Sequence, residues 1–404
     1  MKAAYAAWGN PLDLYFASGT PYNILKMMKE SGIETEIAQI EIINKPFYEN
    51  SYAARLKQAF IKGDVLQKVM LKSKEVYYKN FTSKTYLRGF DPSVIKWRAA
   101  QVEKKLNKID HDFVFAWSNH FTAFLKSEKP LVFWSDYTFA GYMDIYPPFA
   151  NLCRATIEHG RSMEEQTLSN CNLAIYSSEW AAKTALDNYP VNPEKVKVIP
   201  FGPNLECDRN KQDIEKIIEN KSSVTCKLLL VGVDWHTKGA DKALAVAEEL
   251  NRRGIKTELD LVGCKAPVPL PDFVKEHGFI SKKTVQGRNK LASFYRNAHF
   301  LILPSRFECF GIVFAEASSF GLPSLATRVG GIPTAVTEGK NGQLFPSDAS
   351  PEDYCDYIEE VMASDTYYRQ LALSSFEEYE KKLNWTVSGR KFGALIEKSL
   401  ALRG

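Results

Sequence analysis

At 404 residues with 45% apolar content, the chain is long enough for two ordinary domains, each burying its own core. A formal charge of +4 is too small to mark a nucleic-acid binder, so electrostatic arguments must rest on where the charge sits, and no nucleic-acid partner is expected. Seven cysteines (Cys153, Cys171, Cys207, Cys226, Cys264, Cys309 and Cys355) form an odd, scattered set without a CxxC pair, which argues against a disulfide framework and against a zinc site.

The opening residues Met1 to Trp8 are briefly apolar but lack the length and cleavage signal of a secretory peptide. They read as a buried first strand. No apolar run approaches the ~20 residues needed to span a bilayer. The expected location is the cytoplasm, soluble or peripheral on the inner membrane face. Next, Ala17-Ser18-Gly19-Thr20-Pro21-Tyr22 precedes the amphipathic stretch Ile24 to Lys29, with proline at the helix start and Thr20 placed to cap it.

From Ser51 to Asp110 the chain carries 14 Lys or Arg against 5 Asp or Glu, with Tyr, Phe and Trp interleaved. This local excess of nine positive charges exceeds that of the whole chain. Two readings stand: a solvated helical insertion, or a surface for anionic lipid headgroups or an acidic acceptor.

Apolar runs then recur at Phe113 to Trp117, Leu131 to Trp134, Leu173 to Ser177 and Val196 to Ile199. They recur again at Lys227 to Val231, Glu258 to Val262, Phe300 to Leu303 and Leu325 to Thr327, separated by amphipathic stretches. That alternation predicts βαβ units and an α/β fold of two Rossmann-like domains. Ile199 to Asn204 carries turn formers, and the apolar-poor segment Glu206 to Ser223 reads as a linker. The expected division is 1–203, with a basic helical insertion at about 45–110, then 204–384, then a helix over 385–404 crossing back to the first domain.

The most informative stretch follows the strand Phe300 to Leu303: Pro304-Ser305-Arg306-Phe307-Glu308-Cys309-Phe310-Gly311-Ile312-Val313-Phe314-Ala315-Glu316-Ala317. A loop leaves a strand and opens a helix, whose free N–H groups and positive dipole end suit a diphosphate, and Gly311 permits close approach. Glu308 lies before the helix and Glu316 more than a turn into it, so the two carboxylates can accept hydrogen bonds from different hydroxyls of one ligand. The strand Leu228 to Val231 is likewise followed by Gly232, Lys238 and Gly239. Lys238 would meet a phosphate as a mobile point charge. Taken singly, each glutamate also reads as a helix-dipole partner or an exposed residue, and the lysine as a solvated one.

Together these residues resemble the retaining GT-B glycosyltransferases of glycosyltransferase family 4. The likeness lies in Glu308-Cys-Phe-Gly-Ile-Val-Phe-Ala-Glu316-Ala, Phe320-Gly-Leu-Pro, Gly330-Gly-Ile-Pro and Glu338-Gly-Lys-Asn-Gly. It covers the second half closely and the first more loosely. The resemblance implies a GT-B architecture, with two Rossmann-like domains facing across a deep cleft. It implies transfer of a hexose from a UDP- or GDP-sugar to a hydroxyl acceptor, either a glycan, a lipid-linked sugar or a small metabolite, with no cofactor and no metal. By the same resemblance Glu308 contacts donor-sugar hydroxyls, and the backbone from Cys309 through Phe310, Gly311 and Ile312 to Val313 the sugar and distal phosphate. Glu316 contacts the ribose, Lys238 neutralises the diphosphate, and Ile280 in the loop Gly278 to Ser281 helps form the base pocket.

The family usually places an arginine shortly after the strand glycine Gly232, where Val233 stands here. Arg306 is the expected replacement, with His236 second; a purely structural role for Arg306 is the other reading. The loop Ser18-Gly19-Thr20 is similar to the family's glycine loop facing the diphosphate. Asp136, after Leu131 to Trp134, stands where the family lines the cleft near the anomeric carbon, with a helix cap as its alternative. His120 is a second cleft candidate, and Glu158-His159 and Glu164-Glu165 are candidates for the acceptor side. Two alternative functions remain: a nucleotide-sugar epimerase of the same architecture and a non-catalytic sugar-nucleotide-binding protein.

Overall fold

The computed structural model describes residues 1–40, 65–117, 119–221 and 224–401. Strands β1 (Lys2–Trp8), β2 (Glu34–Ile40), β3 (Phe113–Trp117), β4 (Leu131–Ser135), β5 (Leu173–Tyr176) and β6 (Val196–Val198) form one sheet in the order β2-β1-β3-β4-β5-β6. A second sheet contains β7 (Cys226–Gly232), β8 (Thr257–Gly263), β9 (Val274–Glu276), β10 (Phe300–Leu303), β11 (Ser324–Thr327) and β12 (Gly342–Phe345), in the order β12-β11-β10-β7-β8-β9. Every strand pairing is parallel. Helices cover both faces of such sheets, which is why β3, β4, β5, β10 and β11 are buried along their whole length and read as continuous apolar runs.

Strand order also fixes where a ligand can sit. In the first sheet the chain runs outward from β1 to β2 and returns to β3 on the other side of β1; in the second it runs β7, β8, β9 and returns to β10 beside β7. Loops leaving the two central strands at each reversal diverge, opening a crevice at the carboxyl edge. In the second sheet these are the loops after Gly232 and after Leu303, which carry Lys238 and Glu308.

Three strands go beyond the runs read from sequence. β2, β9 and β12 all lie at sheet edges. β9 has three residues with two exposed, and β2 mixes exposed and partly buried positions, so neither presents a long apolar run. The segment Glu206 to Ser223 also differs from a plain linker. It contains the helix Lys211–Glu219, whose Asn210 and Asp213 form a reciprocal capping box and whose Ile214 and Ile217 are buried. Those two isoleucines suffice to dock one short amphipathic helix.

The last helix, Trp385–Ala401, packs on the first sheet's core. Phe392 stacks on Trp134 at 5.8 Å and meets Phe115 edge-on at 5.7 Å. Ser388 Oγ donates to Pro200 O at 2.7 Å, and Trp385 Nε1 to Pro203 O at 2.8 Å. Within the basic stretch, residues 45–64 lie outside the described residues; the remainder forms the helices Val65–Thr82 and Pro92–Leu106. No helix among the described residues is long and apolar enough to cross a membrane.

Candidate active site

A cleft of about 900 Å³ opens between the carboxyl edges of the two sheets. Its wall on the second-sheet side is made by Gly232, Val233, Lys238, Ile280, Lys282, Glu308, Phe310, Gly311, Ile312 and Val313. Ser18, Thr20, Trp8, His120, Asp136 and Tyr142 face them from the first. Of the residues singled out in the sequence, the cleft therefore gathers Ser18, Thr20, His120, Asp136, Gly232, Lys238, Ile280, Glu308, Phe310, Gly311, Ile312 and Val313.

At the centre of the second-sheet wall, Lys238 Nζ meets Glu308 Oε2 at 2.5 Å, with side chains 21% and 14% exposed. Both positions are built by close backbone approaches. A Cβ at Gly232 would stand 2.6 Å from Lys238 Cγ, so only glycine lets the lysine lie across the strand end. A Cβ at Gly331 would stand 1.8 Å from Cys309 O, and Gly331 N donates to Glu308 O at 3.1 Å. The Gly330-Gly331 pair thus clamps the backbone of the Glu308 loop, giving that motif a positional reason.

Four expected placements need correction. Arg306 is not in the cleft wall: its guanidinium forms a two-pronged pair with Asp241 at 2.7 and 2.6 Å and donates to His236 O at 2.7 Å. A carboxylate at the start of the helix Ala240–Arg252 outcompetes open solvent for the fork. His236, the second candidate, holds Arg306 through its carbonyl and does not line the cleft either. Glu316 is fully buried, with Oε1 2.5 Å from Lys282 Nζ and Oε2 accepting from Tyr295 Oη at 2.8 Å. Lys282 reaches the cleft and Glu316 stands behind it. Gly19 rather than Thr20 caps the helix Thr20–Glu30, with φ of 88°. The Cys309 side chain is buried behind the wall, which leaves the expectation for its backbone unchanged.

Asp136 faces the cleft, and the helix-cap alternative is excluded because Thr138 Oγ1 accepts from Gly141 N at 3.0 Å. Burial, with Glu308 adding its charge, pushes the Asp136 carboxyl up to about 6. His120 lines the same wall, edge-on to Trp8 at 4.9 Å, with Nε2 3.3 Å from Tyr137 Oη. Burial, with Arg98 nearby, pushes its imidazole down to about 3, so it is neutral at ordinary pH. Asn204 holds the loop of the first-sheet wall by donating to Ser18 O at 2.9 Å and Thr20 Oγ1 at 3.2 Å. Tyr15, Phe16, Trp8, Tyr142 and Lys282 also line the cleft. No sequence motif marks them, because a strand end, loops and short helices from both sheets bring them together.

The acceptor-side candidates lie elsewhere. Glu158 pairs with Arg154 at 2.6 Å on an exposed face, and His159 opens onto a separate groove with Lys74, Tyr78 and Tyr86. Glu164 is in the core, accepting from Asn119 Nδ2, Phe139 N and Tyr176 Oη. Burial outweighs those donors and raises its carboxyl to about 7. A folded-state value above the unfolded one means the associated stability is complete below about pH 4.5 and is lost as pH rises through 7. Melting temperature is therefore expected to fall between pH 5 and pH 8, and Glu164→Gln to flatten that fall in calorimetric scans.

Residues 211–378 match the family model described as Glycosyl transferases group 1. The chain is 28% identical over 238 residues to a D-inositol 3-phosphate glycosyltransferase of Nocardiopsis dassonvillei, covering 55% of each protein. A protein of the same name from Corynebacterium diphtheriae is 24% identical, covering 58% of each. The chain thus spans a little over half the length of these curated relatives, which are named as glycosyltransferases. Among solved structures, sucrose-phosphate synthase from Thermosynechococcus elongatus superposes with a TM-score of 0.67 at 17% identity, covering 99% of both chains. Anabaena HepE in complex with UDP and glucose superposes at 0.60 and 14%, covering 98% of this chain and 99% of that one. These structural likenesses establish the fold: an α/β fold of the GT-B type.

Proposed function

We propose that the protein is a retaining glycosyltransferase that moves a hexose from a UDP- or GDP-sugar to a hydroxyl of a glycan, a lipid-linked sugar or a small metabolite. The observation that carries this reading is the Lys238–Glu308 pair set in the cleft wall at the second sheet's strand-order reversal. One cation and one carboxylate there suit the diphosphate and the sugar of a single donor. The named relatives are glycosyltransferases, and HepE is described with UDP and glucose, which supports a nucleotide-sugar donor.

In this reading the diphosphate takes Lys238 from Glu308, which frees the carboxylate to accept hydrogen bonds from the sugar. The acceptor oxygen forms its bond to the anomeric carbon on the face from which the diphosphate leaves. The acceptor's proton passes to the departing diphosphate oxygen, so no protein nucleophile is required. Catalysis then rests on positioning and on neutralising charge at the leaving group, with Lys238 in that role. Asp136 orients a donor or acceptor hydroxyl from the opposite wall. No cofactor and no metal take part, and activity is expected to survive chelation.

Asp136 gives the reading a pH signature. A carboxylate that titrates near 6 accepts hydrogen bonds fully only above that value, so kcat/KM is expected to fall as pH drops from 7 to 5. Asp136→Asn should lower the rate and remove that acid limb. An unchanged limb in the variant would assign it to another group.

The decisive test is a donor screen by thermal shift, because a bound donor raises apparent stability by mass action. A shift with one of the common uridine or guanosine diphosphate sugars is expected. No binding to any of them by calorimetry would overturn the transferase reading. Donor incubated alone should slowly release nucleoside diphosphate, whereas epimerised nucleotide sugar would identify an epimerase.

A further inference from the structure

Outside the cleft, the helix Val65–Thr82 carries a row of apolar residues that the described residues leave exposed. Val69, Met70, Val76, Tyr77 and Phe81 are between 43% and 77% exposed. At 100° per residue these five positions fall within an arc of about 140°, which also holds the exposed Ser73 and Asn80, opposite Leu71, which is buried. Tyr77 and Phe81 stack on each other at 5.6 Å and 26°, forming one broad aromatic surface. Five large apolar residues on one helix face exceed the isolated exposed leucine or valine of an ordinary soluble surface.

Charge borders this face on one side. The helix carries four lysines against one glutamate, and Lys68, Lys72 and Lys79 run along the same edge of the apolar arc. Lys72 is held by Glu75 at 3.0 Å, while Lys68 and Lys79 have no ion-pair partner among the described residues. An apolar, aromatic-rich arc with a cationic border matches a lipid interface in both its dimensions: acyl chains for the arc, phosphates for the edge.

The surface is also mechanically joined to the cleft. Lys74 Nζ meets Asp91 Oδ2 at 2.9 Å, and Tyr78 stacks on Tyr86 at 5.5 Å and 11°. Next to Asp91, Phe90 lies 6.0 Å from the ring of His120, which lines the cleft on the first-sheet side.

We propose that the exposed face of helix Val65–Thr82 docks on an anionic phospholipid bilayer, with Tyr77 and Phe81 at the acyl boundary and Lys68 and Lys79 at the headgroups. Docking holds the first-sheet wall of the cleft at a fixed height above the lipid, so acceptors carried in that membrane are presented to it. The docking itself is independent of the transferase reading.

The test is co-sedimentation of the full chain with vesicles of phosphatidylcholine containing phosphatidylglycerol, and with phosphatidylcholine alone. At low salt the wild type is expected to pellet with the anionic vesicles and to be released by salt, since exposed charge is screened beyond about 10 Å at 0.1 M. Tyr77→Ser/Phe81→Ser is expected to weaken binding at least tenfold. Lys68→Gln/Lys79→Gln should weaken it roughly twenty-fivefold, at about fivefold per lysine. Both variants should keep the wild-type melting temperature, because the replaced side chains are exposed, and the donor-induced thermal shift, which reads the transferase site separately. Wild-type protein left in the supernatant, equal binding to neutral vesicles, or unaltered binding by both variants would overturn the proposal. So would a wild-type dimer in sedimentation velocity that Tyr77→Ser/Phe81→Ser dissolves, since that face would then join two copies.

Discussion

Replacing Lys238 or Glu308 by alanine is expected to lower kcat/KM at least tenfold each, a loss of about 1.4 kcal/mol or more of transition-state stabilisation. The two losses have different causes. Lys238→Ala removes the cation beside the departing diphosphate and also leaves the Glu308 carboxylate, now without its partner at 2.5 Å, facing the same negative charge. Glu308→Ala leaves the lysine free to bind the diphosphate more readily, so its cost should fall on kcat more than on KM. Residues in direct contact do not act additively. The double variant is therefore expected to be less impaired than the product of the single effects, because removing Glu308 also removes the repulsion exposed by Lys238→Ala. Rates at the wild-type level in both single variants would refute the site. A double variant equal to the product of the singles would mean that the pair does not work as a unit.

The part of this site that could be read in the sequence is the part that is contiguous or sits at a strand end. Gly311 and Glu308 follow an unmistakable apolar strand, and Gly232 and Lys238 follow another. A doubly wound topology brings the ends of two such strands side by side whatever lies between them. Arg306 shows where that logic stops. Its loop position was visible, but its direction is set by Asp241, some 65 residues away on a helix start that the sequence does not place beside it. The edge strands β2, β9 and β12 were hidden for a different reason: β2 and β9 are partly exposed, and β12 opens on Gly342 and Gln343, so none shows the apolar run that marks a central strand. Trp8, Tyr15 and Tyr142 were hidden because an aromatic residue at a strand end, in a loop or on a short helix looks the same whether it faces a cleft or a core.

Glu316 yields the other large effect, and it separates a structural role from a ligand-binding one. Its buried carboxylate is held by Lys282 Nζ at 2.5 Å and Tyr295 Oη at 2.8 Å. Glu316→Ala leaves the tyrosine hydroxyl buried without an acceptor. Breaking a buried pair typically costs 3–5 kcal/mol, but Lys282 reaches the cleft and can turn to water, so a loss nearer 2–3 kcal/mol is expected. Glu316→Gln keeps an acceptor for Tyr295 and should melt much closer to the wild type.

If Glu316 releases Lys282 to accept from a ribose hydroxyl when the donor binds, the glutamine variant has lost a hydrogen bond to a charged acceptor. Such a bond is worth about 1.5–3 kcal/mol, which predicts roughly ten- to a hundredfold weaker nucleoside diphosphate binding. Comparing the ribo- and 2′-deoxyribonucleoside diphosphates by calorimetry distinguishes this from a loosened fold. The wild type should prefer the ribonucleotide, and Glu316→Gln should lose most of that preference. Equal binding of the two nucleotides by the wild type, or undiminished preference in Glu316→Gln, would leave Glu316 a support for Lys282 and move ribose recognition to another part of the wall.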